Sequence, residues 1–181
     1  MISDLKGGRF MNKFFFLLLL YFSSLTVYSQ DHQLIHAQPI EESMDYEQLK
    51  IKSYKYWDVY LHENQCYLGR VFVLLREDAD VEDFLSIQGE VREEFFQIGE
   101  EIKTALKILF QPDKMNYAAL SNTSPKIHVH IVPRYSDSRD FGGVIFQDTR
   151  WGKNYAPYDK AFKLEEETLF KIREALKEAM K

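Results

Sequence analysis

The sequence predicts an α+β domain built on an antiparallel sheet, and three features carry that prediction. Residues 58–75 (DVYLHENQCYLGRVFVLL) read as two strands around a connection. Positions 91–109 carry a single apolar stripe at helical spacing. A second pair of strand-like runs, MNYAALS and KIHVHIV, is followed by another amphipathic segment. Strands, helix, strands, helix is the order of an α+β chain rather than of an alternating parallel one.

The totals agree with one globular domain. The chain has 181 residues, 28% charged and 45% hydrophobic, values that exclude disorder and low complexity. A formal net charge of −5 argues against a nucleic-acid polymer as partner, since that binding wants a basic face. The one cysteine, Cys66, excludes an intramolecular disulfide and a cysteine-based zinc site. Its expected role is that of a small buried side chain.

The amino-terminal segment stands apart. Residues 14–22 read FFFLLLLYF, preceded by Lys6, Arg9 and Lys13 and followed by SSLTVYSQ, in which Val27 and Ser29 are small enough for a signal-peptidase site. Residues 1–29 therefore read as a secretory signal peptide, with Met11 as an alternative start. The apolar run is shorter than the roughly 20 residues of a spanning helix, so no stable membrane span is expected after processing. Cleavage after Ser29 takes the net charge from −5 to −7. A membrane anchor and a cytoplasmic chain are the alternatives to export.

Residues 30–50 are polar and aperiodic and read as an arm, leaving 51–181 as the domain. Val59 and Leu61 alternate with polar neighbours, and Val71–Leu75 are β-prone, with a tight connection expected at Glu63-Asn64-Gln65. Ser86 is the expected N-cap of the long helix, whose stripe is Val91, Phe95, Ile98, Ile102, Ala105 and Leu109. Pro112-Asp113 ends it. The final helix carries Phe162, Leu169, Ile172, Leu176 and Met180.

The chemistry concentrates in Lys126-Ile-His128-Val-His130-Ile-Val-Pro-Arg134. In a strand, residues two apart share a face, so Lys126, His128 and His130 point one way and Ile127, Val129 and Ile131 the other. Pro133 is expected to stop the pairing, with Arg134 at the strand's end. Two imidazoles beside fixed positive charges suit phosphate: the cations hold oxygens, and a neutral imidazole attacks phosphorus or moves a proton. Structural histidines and a metal site are the competing readings. Zinc would need further ligands, and the remaining histidines are His32 and His36 in the arm and His62 on another strand.

The run His128-Val-His130-Ile-Val-Pro-Arg resembles the end of the H-φ-H-φ-H-φ-φ motif of the histidine triad superfamily. With LHENQCYLGR, QPDKMNYAALSN, VPRYSDSRDFGGVIFQD and RWGKNY, the resemblance runs from about Tyr56 into the last helix. It points to a branch related to dinucleoside polyphosphate hydrolases. It implies a five-stranded antiparallel sheet with a long helix and a carboxy-terminal helix, often as a homodimer. It also implies a nucleotide substrate, with His128 as the nucleophile that forms a nucleotidyl-histidine and His130 holding phosphate and the leaving oxygen. Asn122 and Thr123 would lend polar groups to the phosphates, Asn64 and Gln65 fall in the nucleoside region, and Arg134 and Lys126 are candidate phosphate contacts. Trp151, Lys153 and Asn154 resemble a loop near the pocket.

The resemblance implies no metal ligands for the nucleophilic step; magnesium would come only with a polyphosphate substrate. Two departures stand out: Lys126 replaces the first histidine and Ser121 a usual glycine. The carbonyl at 126, which in the family orients the nucleophilic imidazole, survives the replacement; an imidazole is lost and a cation gained. The reading is therefore a nucleotide hydrolase or transferase acting on a phosphoanhydride or phosphoramidate. The alternative is a catalytically weakened nucleotide-binding protein on the same fold.

Overall fold

Alternation of apolar side chains along the strands sets the architecture. A computed structural model describes residues 45–76, 83–120, 122, 124 and 126–181. Residues 1–29, expected to be a signal peptide, and most of the arm, together with Ser121 and Thr123, lie outside the described residues. Five strands, β1 (Lys50–Ser53), β2 (Trp57–Leu61), β3 (Val71–Leu75), β4 (Lys114–Ala119) and β5 (His128–Arg134), form one sheet in the order β1-β2-β3-β5-β4, every neighbour antiparallel. The α+β class with a five-stranded antiparallel sheet is thus the observed one.

One face of the sheet is apolar. Val59 and Leu61, Val71, Val73 and Leu75, and Val129 and Ile131 are buried on it. Two helices, α1 (Gly89–Leu109) and α2 (Glu166–Ala179), complete the same core. The stripe in α1 buries Phe95, Ile98, Ile102 and Ala105, with Leu106 added; Val91 and Leu109 are half-buried at its margins. In α2 the buried residues are Leu169, Ile172 and Leu176; Phe162 precedes the helix and Met180 caps it. Trp57 is fully buried against Phe95, and its indole N–H donates to the Val91 carbonyl at 2.9 Å. That bond removes the cost of an unpaired buried donor.

Several local expectations change. The polar arm ends in a 3-10 turn, Tyr46–Leu49, and then β1, whose short mixed sequence KIKS gave no alternation to read. The β2–β3 connection spans residues 62–70 rather than a tight turn at 63–65. Ser86 closes a 3-10 turn (Phe84–Ser86), and Gln88 is the residue that precedes α1. Pro133 lies inside β5, opposite Met115. The Arg134 carbonyl accepts from Asp113 on the β4 side, so by alternation the Pro133 nitrogen faces the β3 side, where pairing has already ended at Ile131. A missing N–H is tolerated there. A separate hairpin, β6 (Arg139–Phe141) with β7 (Val144–Phe146), follows.

Gly69 shapes the long connection. Its φ is +80°, and a Cβ there would lie 2.6 Å from Leu106 Cδ2 and 2.8 Å from Phe110 Cδ2. Backbone strain and core overlap act together, so Gly69→Ala is expected to cost about 3 kcal/mol. Urea unfolding with an unchanged m-value would show it.

Candidate active site

Strand β5 delivers its two histidines to the face opposite the core. Ile127, Val129 and Ile131 are at most 4% exposed, whereas His128 and His130 are half-buried. The cross-strand register sets their surroundings. Tyr60, Phe72, His130 and Ala118 form one row across β2, β3, β5 and β4, and Leu74 lies opposite His128. The imidazoles of His128 and His130 meet edge to face at 5.1 Å between centroids, and Phe72 lies 6.1 Å from His130.

The tautomer of His128 is fixed by its own strand. Nδ1 lies 2.8 Å from the Lys126 carbonyl, which can only accept, so Nδ1 carries the proton and Nε2 presents a lone pair. The residue type at 126 is irrelevant to this bond, because the backbone makes it. Lys126 itself is exposed at the start of β5.

The structure adds a third histidine. His62, just past the end of β2, lies 5.6 Å from His130 between ring centroids and is 8% exposed. Its Nδ1 accepts the Asn64 N–H at 3.0 Å, which leaves Nε2 protonated in the neutral ring. Burial, then the Arg70 charge, then His130 push its pKa down to about 2. Burial is also the first cause at His130, followed by Arg70 and His128, and lowers its pKa to about 4. Both rings are neutral at physiological pH. Burial likewise pushes the half-buried Cys66 thiol up to about 11, which makes it a poor nucleophile.

Three of the side chains assigned to substrate are engaged by the protein. Gln65 is fully buried: Nε2 donates to the carbonyls of His62 (2.6 Å) and Arg70 (2.8 Å), and Oε1 accepts from Gly69 N–H (2.8 Å). Asn64 donates to the carbonyls of Asp159 and Phe162 and accepts from Cys66 N–H. Arg134 directs its guanidinium to both oxygens of Asp148, to Asn116 Oδ1 and to the carbonyls of Lys153 and Arg150. No donor remains on any of the three, so each holds backbone or neighbouring chain in place rather than offering a hydrogen to a ligand. Asn122 is exposed in the β4–β5 connection.

Trp151, Lys153 and Asn154 line a cleft of about 660 Å³ with Asn116 and Ala118 along edge strand β4. Ala118 is the cross-strand partner of His130, so this cleft lies one strand over from the histidines. Lys114 packs its ammonium 4.9 Å above the Trp151 ring. Among the described residues, no group of three His, Cys, Asp or Glu is placed to share a metal ion. None of their helices is long and apolar enough to cross a membrane.

The family model described as the HIT domain matches residues 60–137, from β2 through β5. Solved structures of histidine triad proteins superpose on most of the chain. One from Bradyrhizobium japonicum is 18% identical, with 75% of this chain and 93% of that one aligned, at a TM-score of 0.60. Another, from Sinorhizobium meliloti, is 17% identical over 76% and 96%, also at 0.60. A third, from Marinobacter aquaeolei, is 20% identical over 76% and 95%, again at 0.60. No curated protein sequence matches the chain. The fold is that of the histidine triad proteins, and the HIT match takes in β5, the strand that carries His128 and His130.

The neutral imidazoles have a consequence for stability. His130 and His62 hold protons more weakly in the folded chain than at the ordinary value of 6.5. Their contribution is therefore complete above pH 6.5 and is lost as pH falls, down to about 4 for His130 and about 2 for His62. The depressed carboxylates Glu47, Glu90 and Glu167 start from 4.5 and act below it. On unfolding, these histidines are expected to take up about one proton at pH 6.5 and nearly two at about pH 5, read from the slope of unfolding free energy against pH. His62→Gln should remove one of them. A stability that stays flat from pH 7 to 5 would contradict the neutral pair.

Proposed function

We propose that the protein is a histidine triad nucleotide hydrolase or transferase, cleaving a phosphoanhydride, as in a dinucleoside polyphosphate, or a phosphoramidate. The observation that carries this reading is the 2.8 Å contact from His128 Nδ1 to the Lys126 carbonyl, which leaves Nε2 as an aimed lone pair on the open face. Attack by Nε2 forms an N–P bond as the P–O or P–N bond to the leaving group breaks. Neutral His130, 5.1 Å away ring to ring, hydrogen-bonds the phosphoryl or leaving-group heteroatom. Water then attacks phosphorus, the N–P bond breaks, and the electron pair returns to Nε2. Lys126 and the exposed Asn122, with Thr123 beside it, supply further polar groups to the phosphates. Magnesium enters only with a polyphosphate.

Lys126 supports a second reading. It stands where the superfamily motif has its first histidine, and a chain lacking that imidazole fits a nucleotide binder with weakened chemistry. The two readings separate on one panel: dinucleoside tetraphosphate, nucleoside phosphoramidate and nucleotide sugar, with radiolabelled nucleotide to trap the intermediate. For the hydrolase, wild type turns over and labels, His128→Ala falls by at least about 10³-fold and does not label, and Lys126→His raises turnover. Nucleotide binding with neither turnover nor label would establish the binder.

We further propose that the protein is exported and that residues 1–29 are removed. N-terminal sequencing of the exported product should then begin at Gln30; an intact apolar run 14–22 would reject this.

A further inference from the structure

Two arginines are buried in this domain, and they are treated differently. Arg134, 4% exposed, has a carboxylate and three other acceptors around its guanidinium. Arg70 is 2% exposed, yet its Nε and Nη1 are buried with no hydrogen-bond partner, and it makes no ion pair among the described residues. A buried cation without a counter-charge is costly, and a sequence that retains one has a use for the charge.

The surroundings of Arg70 indicate the use. The Tyr158 ring covers one face of the guanidinium, 4.2 Å from its carbon. Stacking occupies the face and leaves the N–H groups, which lie in the plane, for acceptors. The charge acts on both His62 and His130. The His130 Nδ1 is itself buried without a partner. The acids of this region are exposed and engaged elsewhere: Glu63 with the Tyr46 hydroxyl, and Asp159 accepting the Ala161 N–H at 2.9 Å. Orphaned donors, neutral imidazoles and an aromatic cover therefore meet, and among the described residues no carboxylate pairs with the guanidinium.

We propose that Arg70 is the anion receptor of this cluster, binding the phosphoryl group that adjoins the one attacked by His128. This rests on the phosphoryl-transfer reading above for the identity of the anion. The counter-charge that the fold omits is supplied by the ligand, and Tyr158 keeps the guanidinium oriented toward it. Arg70 is thus a binding residue for the second phosphate, which an uncharged nucleoside would not engage.

The test is calorimetric titration of the purified chain with inorganic pyrophosphate and, separately, adenosine, alongside thermal unfolding with and without pyrophosphate. Wild type should bind pyrophosphate and be stabilised by it. Arg70→Met should weaken pyrophosphate at least about tenfold, leave adenosine unchanged, and melt no lower than wild type in pyrophosphate-free buffer, because it removes an unpaired charge. Arg70→Lys should keep most of the pyrophosphate affinity, and Arg70→Gln, which also removes the charge, should weaken pyrophosphate as the methionine does. Equal pyrophosphate binding by wild type and Arg70→Met, absence of binding by wild type, or an unliganded Arg70→Met that melts well below wild type would each overturn the proposal. Arg70-dependent pyrophosphate binding in a protein that never labels at His128 would remove the hydrolase reading and leave this one. Labelling with binding indifferent to Arg70 would do the reverse.

Discussion

Val129 and Ile131 decide where the histidines go. Both are buried against the helices, and a strand that commits its odd-numbered residues to the core must present the even-numbered ones on the opposite face. Pairing on both sides, to β3 and to β4, locks this register. A slip of one residue would bury two imidazoles and expose the apolar set, so the alternatives are heavily penalised. The His128 contact to the Lys126 carbonyl is a local product of the same geometry. The orientation of the His128 imidazole thus follows from strand packing, with no dedicated side chain.

The rest of the site is irregular chain held by buried amides and hydroxyls. Gln65 closes the 62–70 connection on itself, and Asn64 ties it to the segment before α2. The Tyr135 hydroxyl donates to the Leu68 carbonyl and the Tyr67 hydroxyl to the Tyr155 carbonyl, both at 2.7 Å. Arg134 gathers Asp148 and the carbonyls of Arg150 and Lys153 onto the end of β5. Apart from the Arg134–Asp148 ion pair, these bonds satisfy backbone groups of the loops. Together they place His62 and Arg70, from one connection, and Tyr158, from a distant segment, beside β5.

This division explains what was legible beforehand. Strands β2, β3 and β5 and both helices were readable because their apolar spacing is dictated by burial. The shared face of His128 and His130 was readable because period-two alternation assigns a face without any tertiary knowledge. β1 and the β6–β7 hairpin were missed because four- and three-residue strands carry too few alternations. The structural partners of Asn64, Gln65 and Arg134 were not legible for one reason: a polar residue near a motif offers the same letters whether it serves a ligand or a loop. His62 and Arg70 were legible in part, since Asp58, Tyr60 and His62 share a face by alternation. Their approach to His130 required the strand order, in which β5 inserts between β3 and β4.

The two tryptophans occupy unlike places, and this gives the chain a built-in optical probe. Trp57 is sealed in the core with its indole N–H bonded to a helix carbonyl. Trp151 is half-buried under the Lys114 ammonium at the edge of the cleft beside His130's neighbouring strand. With only these two in the sequence, a red shift from the first reports loss of the core. Emission from the second responds to whatever enters the cleft or disturbs the loop while the core stays intact, so ligand arrival and global unfolding are separable by single-tryptophan variants of one protein.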